Sequence, residues 1–145
     1  MEKVMKDVRI NIESTVDDLD DAGLTASSDK THAEAVGKIT GADGEIVITY
    51  SQTVETVTSN SSITVRGDSV TVKRGGDAEY SFVFSEGKTT SSLYTVPPYS
   101  FDTDIYTRRI RNSLSLSGGE LTLIYDMTIG GAKKKTTMKI KVTEI

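Results

Sequence analysis

"GGELTLIYDMTIGGAKKKTTMKIKV", residues 118–142, decides the fold. Leu121, Leu123, Tyr125, Met127 and Ile129 occupy every second position, and Glu120, Thr122, Asp126 and Thr128 lie between them. A period of two is the side-chain alternation of a β-strand with one face turned from water. Beyond Gly130 and Gly131 the same period returns in Met138, Ile140 and Val142, with Lys139 and Lys141 opposite. The two runs therefore read as arms of an antiparallel hairpin, and Lys133 to Lys135 as its solvated tip.

The rest of the chain repeats this pattern. Val8, Ile10 and Ile12 alternate with charged and polar neighbours, as do Ile46, Ile48 and Tyr50, Ile63 and Val65, Val70 and Val72, and Tyr80, Phe82 and Phe84. Thr89 to Val96 follows after "SEGK", and helical spacing is nearly absent, so about ten strands are expected. Glycine pairs at 75/76, 118/119 and 130/131 supply the backbone freedom of tight turns, which makes sequential strands antiparallel neighbours. A meander of eight to ten one-sided strands left flat would expose an apolar face and two edges. Closure into an antiparallel up-and-down barrel removes both problems, whereas a two-sheet sandwich needs longer crossovers than most connections here provide. The segment Thr15 to Ser28 carries aspartates at 17, 18, 20 and 21 and few apolar groups. It is expected to be an irregular, mobile loop overhanging one end of the barrel.

Composition narrows the setting. The chain has 145 residues, 36% apolar and 26% charged, an ordinary balance for one globular domain spanning residues 1–145. It has no cysteine, which excludes disulfides, thiolate metal sites and a cysteine nucleophile and suits a reducing compartment. "MEKVMKDVRINIES" is charged throughout where a signal peptide needs an apolar core, and no apolar run is long enough for a membrane helix, so a cytoplasmic location is expected. The net charge of −4 is uneven, with five Lys/Arg against twelve Asp/Glu before residue 61 and twelve against nine after it. No dominant basic face for nucleic acid follows from that balance.

Residues 63–131 include "ITVRGDSVTVKRGGDAEYSFVFSEGKTTSSLYTVPPYSFDTDIYTRRI" and "GGELTLIYDMTIGG". Their "V…R.G" hairpin, "F..G…T…Y" segment, acid-alternating strand and "G.L.L.YDM" motif resemble the YwiB-like family of small uncharacterised bacterial proteins, over roughly residues 30 to 142. The resemblance implies a calycin-like, or lipocalin-like, β-barrel and no assigned activity.

Candidate ligand contacts follow from parity. In "YSFDTDIYTRRIR", residues 99–111, alternation sets Phe101, Thr103, Ile105, Thr107 and Arg109 on the apolar face, and Asp102, Asp104, Tyr106 and Arg108 on the other. An inward Arg109 needs an acceptor or open water, which makes it an anion anchor at a barrel mouth, unless a β-bulge or strand end turns it outward. Tyr50, Tyr80 and Tyr125 lie on apolar stripes where each hydroxyl needs a partner. The expected lining of the barrel interior is thus Tyr50, Tyr80, Phe82, Thr103, Thr107, Arg109 and Tyr125. "DDLDDAGLTASSD" matches a calcium loop poorly, since Ala22 occupies a ligand position, and the single histidine, His32, sits in a polar strand. No metal, cofactor or catalytic set is assigned. The preferred function is a non-enzymatic binding module for a small, partly apolar ligand, an anionic one included. The alternative is an enzyme that polarises a carboxylate-bearing substrate through a Tyr/Arg cluster. The expected partner is that small molecule, with neither nucleic acid nor membrane, and a homodimer stays open.

Overall fold

Tight turns join ten strands in the order of the chain: β1 (Val4–Leu19), β2 (Thr25–Ala42), β3 (Glu45–Val54), β4 (Val57–Arg66), β5 (Ser69–Gly75), β6 (Tyr80–Ser85), β7 (Thr89–Val96), β8 (Tyr99–Asn112), β9 (Gly118–Ile129) and β10 (Ala132–Glu144). The structure is a computed structural model that describes residues 4–42 and 44–145. All ladders are antiparallel and form one sheet in the order β6-β5-β4-β3-β2-β1-β10-β9-β8-β7. The first and last strands of the sheet, β6 and β7, are joined by a turn, so it curls into a nearly closed up-and-down barrel. Along this seam, Glu79 and Thr95 exchange backbone bonds of 2.8 and 2.9 Å, and Thr90 Oγ1 donates to the carbonyl of Val83 at 2.6 Å.

The period of two fills the interior as expected. Val8, Ile10, Ile39, Ile48, Ile63, Val70, Phe84, Leu121, Leu123 and Ile140 are buried in one cluster. One end is shut by the β8–β9 connection. Leu114 is buried there, and Leu116 packs so closely on Gly41 that any side chain at that position would collide with it. At the opposite end the β1–β2, β3–β4, β5–β6, β7–β8 and β9–β10 turns lie together.

Two expectations are corrected. The segment Thr15 to Ser28 is not an irregular loop: it is the tip of the β1–β2 hairpin. Residues 15 to 18 pair with both β2 and β10, and only Asp20 to Leu24 turn. Asp20 Oδ1 accepts the N–H groups of Ala22 and Leu24 at 2.9 Å each, the local bonding that lets an aspartate build a turn. Asp17 and Asp18 accept from Ser28 and Ser27, and Asp18 also from Lys134 of β10. Lys133 to Lys135 open β10 beside the Gly130–Gly131 turn, and Lys133 and Lys135 are exposed there. A strand that is polar on both faces has no periodic signature, so the sequence reads as loop where hydrogen bonding alone makes strand.

The second correction lies in β8. Thr107 faces Tyr125 of β9, but the next paired residue is Arg109, which faces Ile124, so a β-bulge leaves Arg108 extra. The bulge shifts parity by one residue. Arg109 is exposed on the outer wall, and Ile110 takes the inward place opposite Leu123.

Candidate functional site

The open end gathers the polar groups that alternation turns inward. On β5 the inward series Val70, Val72 continues to Arg74, at the last turn before Gly75 and Gly76. Its guanidinium Nη2 donates to Asp77 Oδ1 at 2.9 Å and Oδ2 at 3.2 Å, while Asp77 Oδ1 also accepts the backbone N–H of Ala78 at 2.9 Å. The turn thereby holds its own carboxylate, and the carboxylate holds the arginine. The hydrogen bond from Arg74 keeps the Asp77 carboxyl below its ordinary value. Arg74 Nε is buried and donates to no protein acceptor, leaving one arm of the fork uncommitted.

Three tyrosines surround this cation. Tyr80 opens β6, directly opposite Arg74 in the ladder. Its ring stacks on Phe82 at 4.2 Å and 15°, and on Tyr94 of β7 across the seam at 5.6 Å and 14°. Tyr50 of β3 is half-buried on the neighbouring wall. Burial pushes the Tyr50 and Tyr80 phenols up, and the Arg74 charge works against burial at both. Phenols shifted upward stay protonated near neutrality, so they serve as hydrogen-bond donors rather than bases. Arg74, Tyr80 and Tyr50 line an open cleft of about 850 Å³ between the walls, bounded also by Gly37, Ser61 and Thr95, with Tyr94 behind Tyr80. Lys73 adds a second cation at its edge and Glu79 an anion.

The cleft is wide here because β2 and β3 part company. They pair from Gly37 opposite Tyr50 to Ala42 opposite Glu45 and then diverge. Gly37 allows that geometry, since a side chain there would run into the carbonyl of Thr49 and the Cβ of Tyr50.

The expected lining divides into three groups. Tyr50 and Tyr80 reach the cleft. Phe82 lies beneath it, and Thr103, Thr107 and Tyr125 belong to the closed interior, all buried. Tyr125 is 3% exposed and tilts its ring against Phe84 at 4.7 Å; burial pushes its phenol up strongly, with Thr136 working against it. Thr107 Oγ1 and Ser92 Oγ are buried there without protein partners. Arg109 is on the outside. The cleft residue that parity reasoning missed is Arg74. Arg74 carried a usable signal, since it stands two places beyond Val72 on the inward parity of β5. Among the described residues, no three His, Asp or Glu side chains converge as metal ligands.

Residues 10–142 match the family model described as Domain of unknown function (DUF1934). No curated protein matches the chain. The structure is similar to the crystal structure of the ywiB protein from Bacillus subtilis, with a TM-score of 0.84 over 97% of this chain and 93% of that one, at 17% sequence identity. At that identity the likeness is one of fold.

Proposed function

The chain belongs to the DUF1934 family, a domain of unknown function, and we propose that its barrel is a non-enzymatic binding module whose open-end cleft takes a small, partly apolar anion. The observation that carries this reading is Arg74: a half-buried guanidinium oriented by Asp77, with its Nε donor buried and unsatisfied, inside a cleft walled by aromatic rings. A planar fork of donors suits a carboxylate or phosphate, and the Tyr50 and Tyr80 rings with Val36 and Leu93 offer apolar surface for the remainder of the ligand. The enzyme alternative has less support, because neither cleft phenol with a shifted pKa is shifted towards its ionised form. The same reading takes residues 1–145 as one domain working in the cytoplasm, which the absence of cysteine suits. Among the described residues no helix is long and apolar enough to cross a membrane.

Native mass spectrometry of the protein purified from the cells that make it tests the proposal. A retained small molecule that is lost on denaturation, and is absent from the Arg74→Ala variant, is the expected result. Equal retention by both proteins would move the site elsewhere, and no retention by the wild type, together with no uptake of added long-chain carboxylates, would remove the reading.

A further inference from the structure

Where β2 leaves β3 it keeps only one neighbour. Residues 25 to 36 pair with β1, and among the described residues nothing pairs with their other side. The free stretch is long and contains no proline. Residues 25 to 32 are exposed on both faces, and Val36 at its base is 60% exposed. An unprotected edge of this length is a template for another strand, and proteins ordinarily blunt such edges with proline, bulges or repeated lysines.

The sequence of this edge selects its partner. Two copies joined edge to edge by a two-fold axis must pair antiparallel, and opposite residues must come from the same face, so their residue numbers add to an even total. A register centred on Asp29 or Lys30 sets like charges directly opposite each other. A register centred on Thr31 leaves Asp29, Lys30 and Glu34 each opposite an uncharged residue or His32. With His32 opposite His32, Lys30 of each copy faces Glu34 of the other, Asp29 faces Ala35, and Thr31 faces Ala33. This register places two opposite-charge pairs symmetrically about the dyad. Glu34 is already extended over the outer wall, with Arg9 of β1 at 3.4 Å.

We propose that β2 is the dimerisation strand of this protein, joining a second copy of the same chain through residues 28–36 in the His32-centred register. The two barrels would then share one continuous sheet. The proposal does not rest on what the cleft binds, although Val36, at the end of the pairing stretch, also borders the cleft.

Charge reversal tests both the interface and its register on the full chain. The wild type should sediment as a concentration-dependent dimer. Lys30→Glu should weaken self-association at least tenfold, and the double variant Lys30→Glu/Glu34→Lys should restore it. All three residues involved are exposed, so circular dichroism should be unchanged in every variant. Because the chain has no cysteine, His32→Cys supplies a single thiol, which should cross-link two copies on mild oxidation far faster than a Ser81→Cys control on β6. A wild type that stays monomeric at hundreds of micromolar, or His32→Cys that cross-links no faster than the control, overturns the proposal. A double variant that remains as weak as the single one overturns the register on which it rests.

Discussion

Leu123 and Thr122 are neighbours in sequence and opposites in environment. Leu123 is 0% exposed in the core, whereas Thr122 lies on the outer wall. Leu123→Ala should therefore lower unfolding free energy by about 2–5 kcal/mol, the cost of lost burial plus a cavity, and Thr122→Ala by about 0.5 kcal/mol or less; denaturant titration of both checks the register of β9. Gly37 is a different kind of residue, needed for the absence of a side chain rather than for one. Gly37→Ala presses a methyl group into the Thr49 carbonyl and should destabilise the protein more than Gly131→Ala, where the added atom meets open space although the backbone angle is strained. Measured midpoints in the reverse order would show that β2 can move away from β3 there at no cost. At this scale the inward or outward sense of most strand residues was legible from parity alone. Arg109 was misplaced because one extra residue in β8 reverses parity, and nothing in "YTRRIR" marks which residue is extra.

The β1–β2 hairpin shows where strand reasoning runs out. Its outer half buries little, so no apolar stripe announces it, and it stands by ladder bonds to β10 and by the bonds of Asp17 and Asp18 to Ser28, Ser27 and Lys134. Limited proteolysis should accordingly open with cuts confined to the Asp20–Leu24 turn, mapped by mass spectrometry. First cuts spread along residues 15–18 or 25–28 would contradict the ladder. Calcium at millimolar concentration should leave the unfolding temperature unchanged, since the aspartates are distributed between a strand ladder and a turn; a rise of several degrees would show that they can converge on a cation. The strongly patterned elements, β9 and β10 above all, needed no such correction, because alternation reports burial and those strands are buried on one face.

Across the whole molecule, stability should be limited by carboxyls on the acid side and by phenols on the alkaline side. The hydrogen bond from Lys134 lowers Asp18, and that from Arg74 lowers Asp77, both below the ordinary 3.8. Their contribution is present above about pH 4 and disappears as pH falls through the lowered values. Tyr125, Tyr80 and Tyr50 are raised by burial above the ordinary 10.0, so their contribution is complete below about pH 10 and is lost as pH climbs beyond it. Urea midpoints should be flat between about pH 5 and 9 and fall on both sides, and Tyr125→Phe should flatten the alkaline limb. The barrel itself was legible because ten alternating strands with short turns have few other ways to hide one face. The site was legible only in its ingredients, an arginine among tyrosines, because which arginine reaches the interior depends on a bulge and on where β2 parts from β3. The central claim, that the open-end cleft binds an anion through Arg74, is tested most directly by titrating dansyl-undecanoate into the wild type, Arg74→Ala and Arg109→Ala. The account predicts saturable binding that weakens about tenfold or more in Arg74→Ala and is unchanged in Arg109→Ala. Equal affinity in all three proteins, or a loss confined to Arg109→Ala, would contradict it.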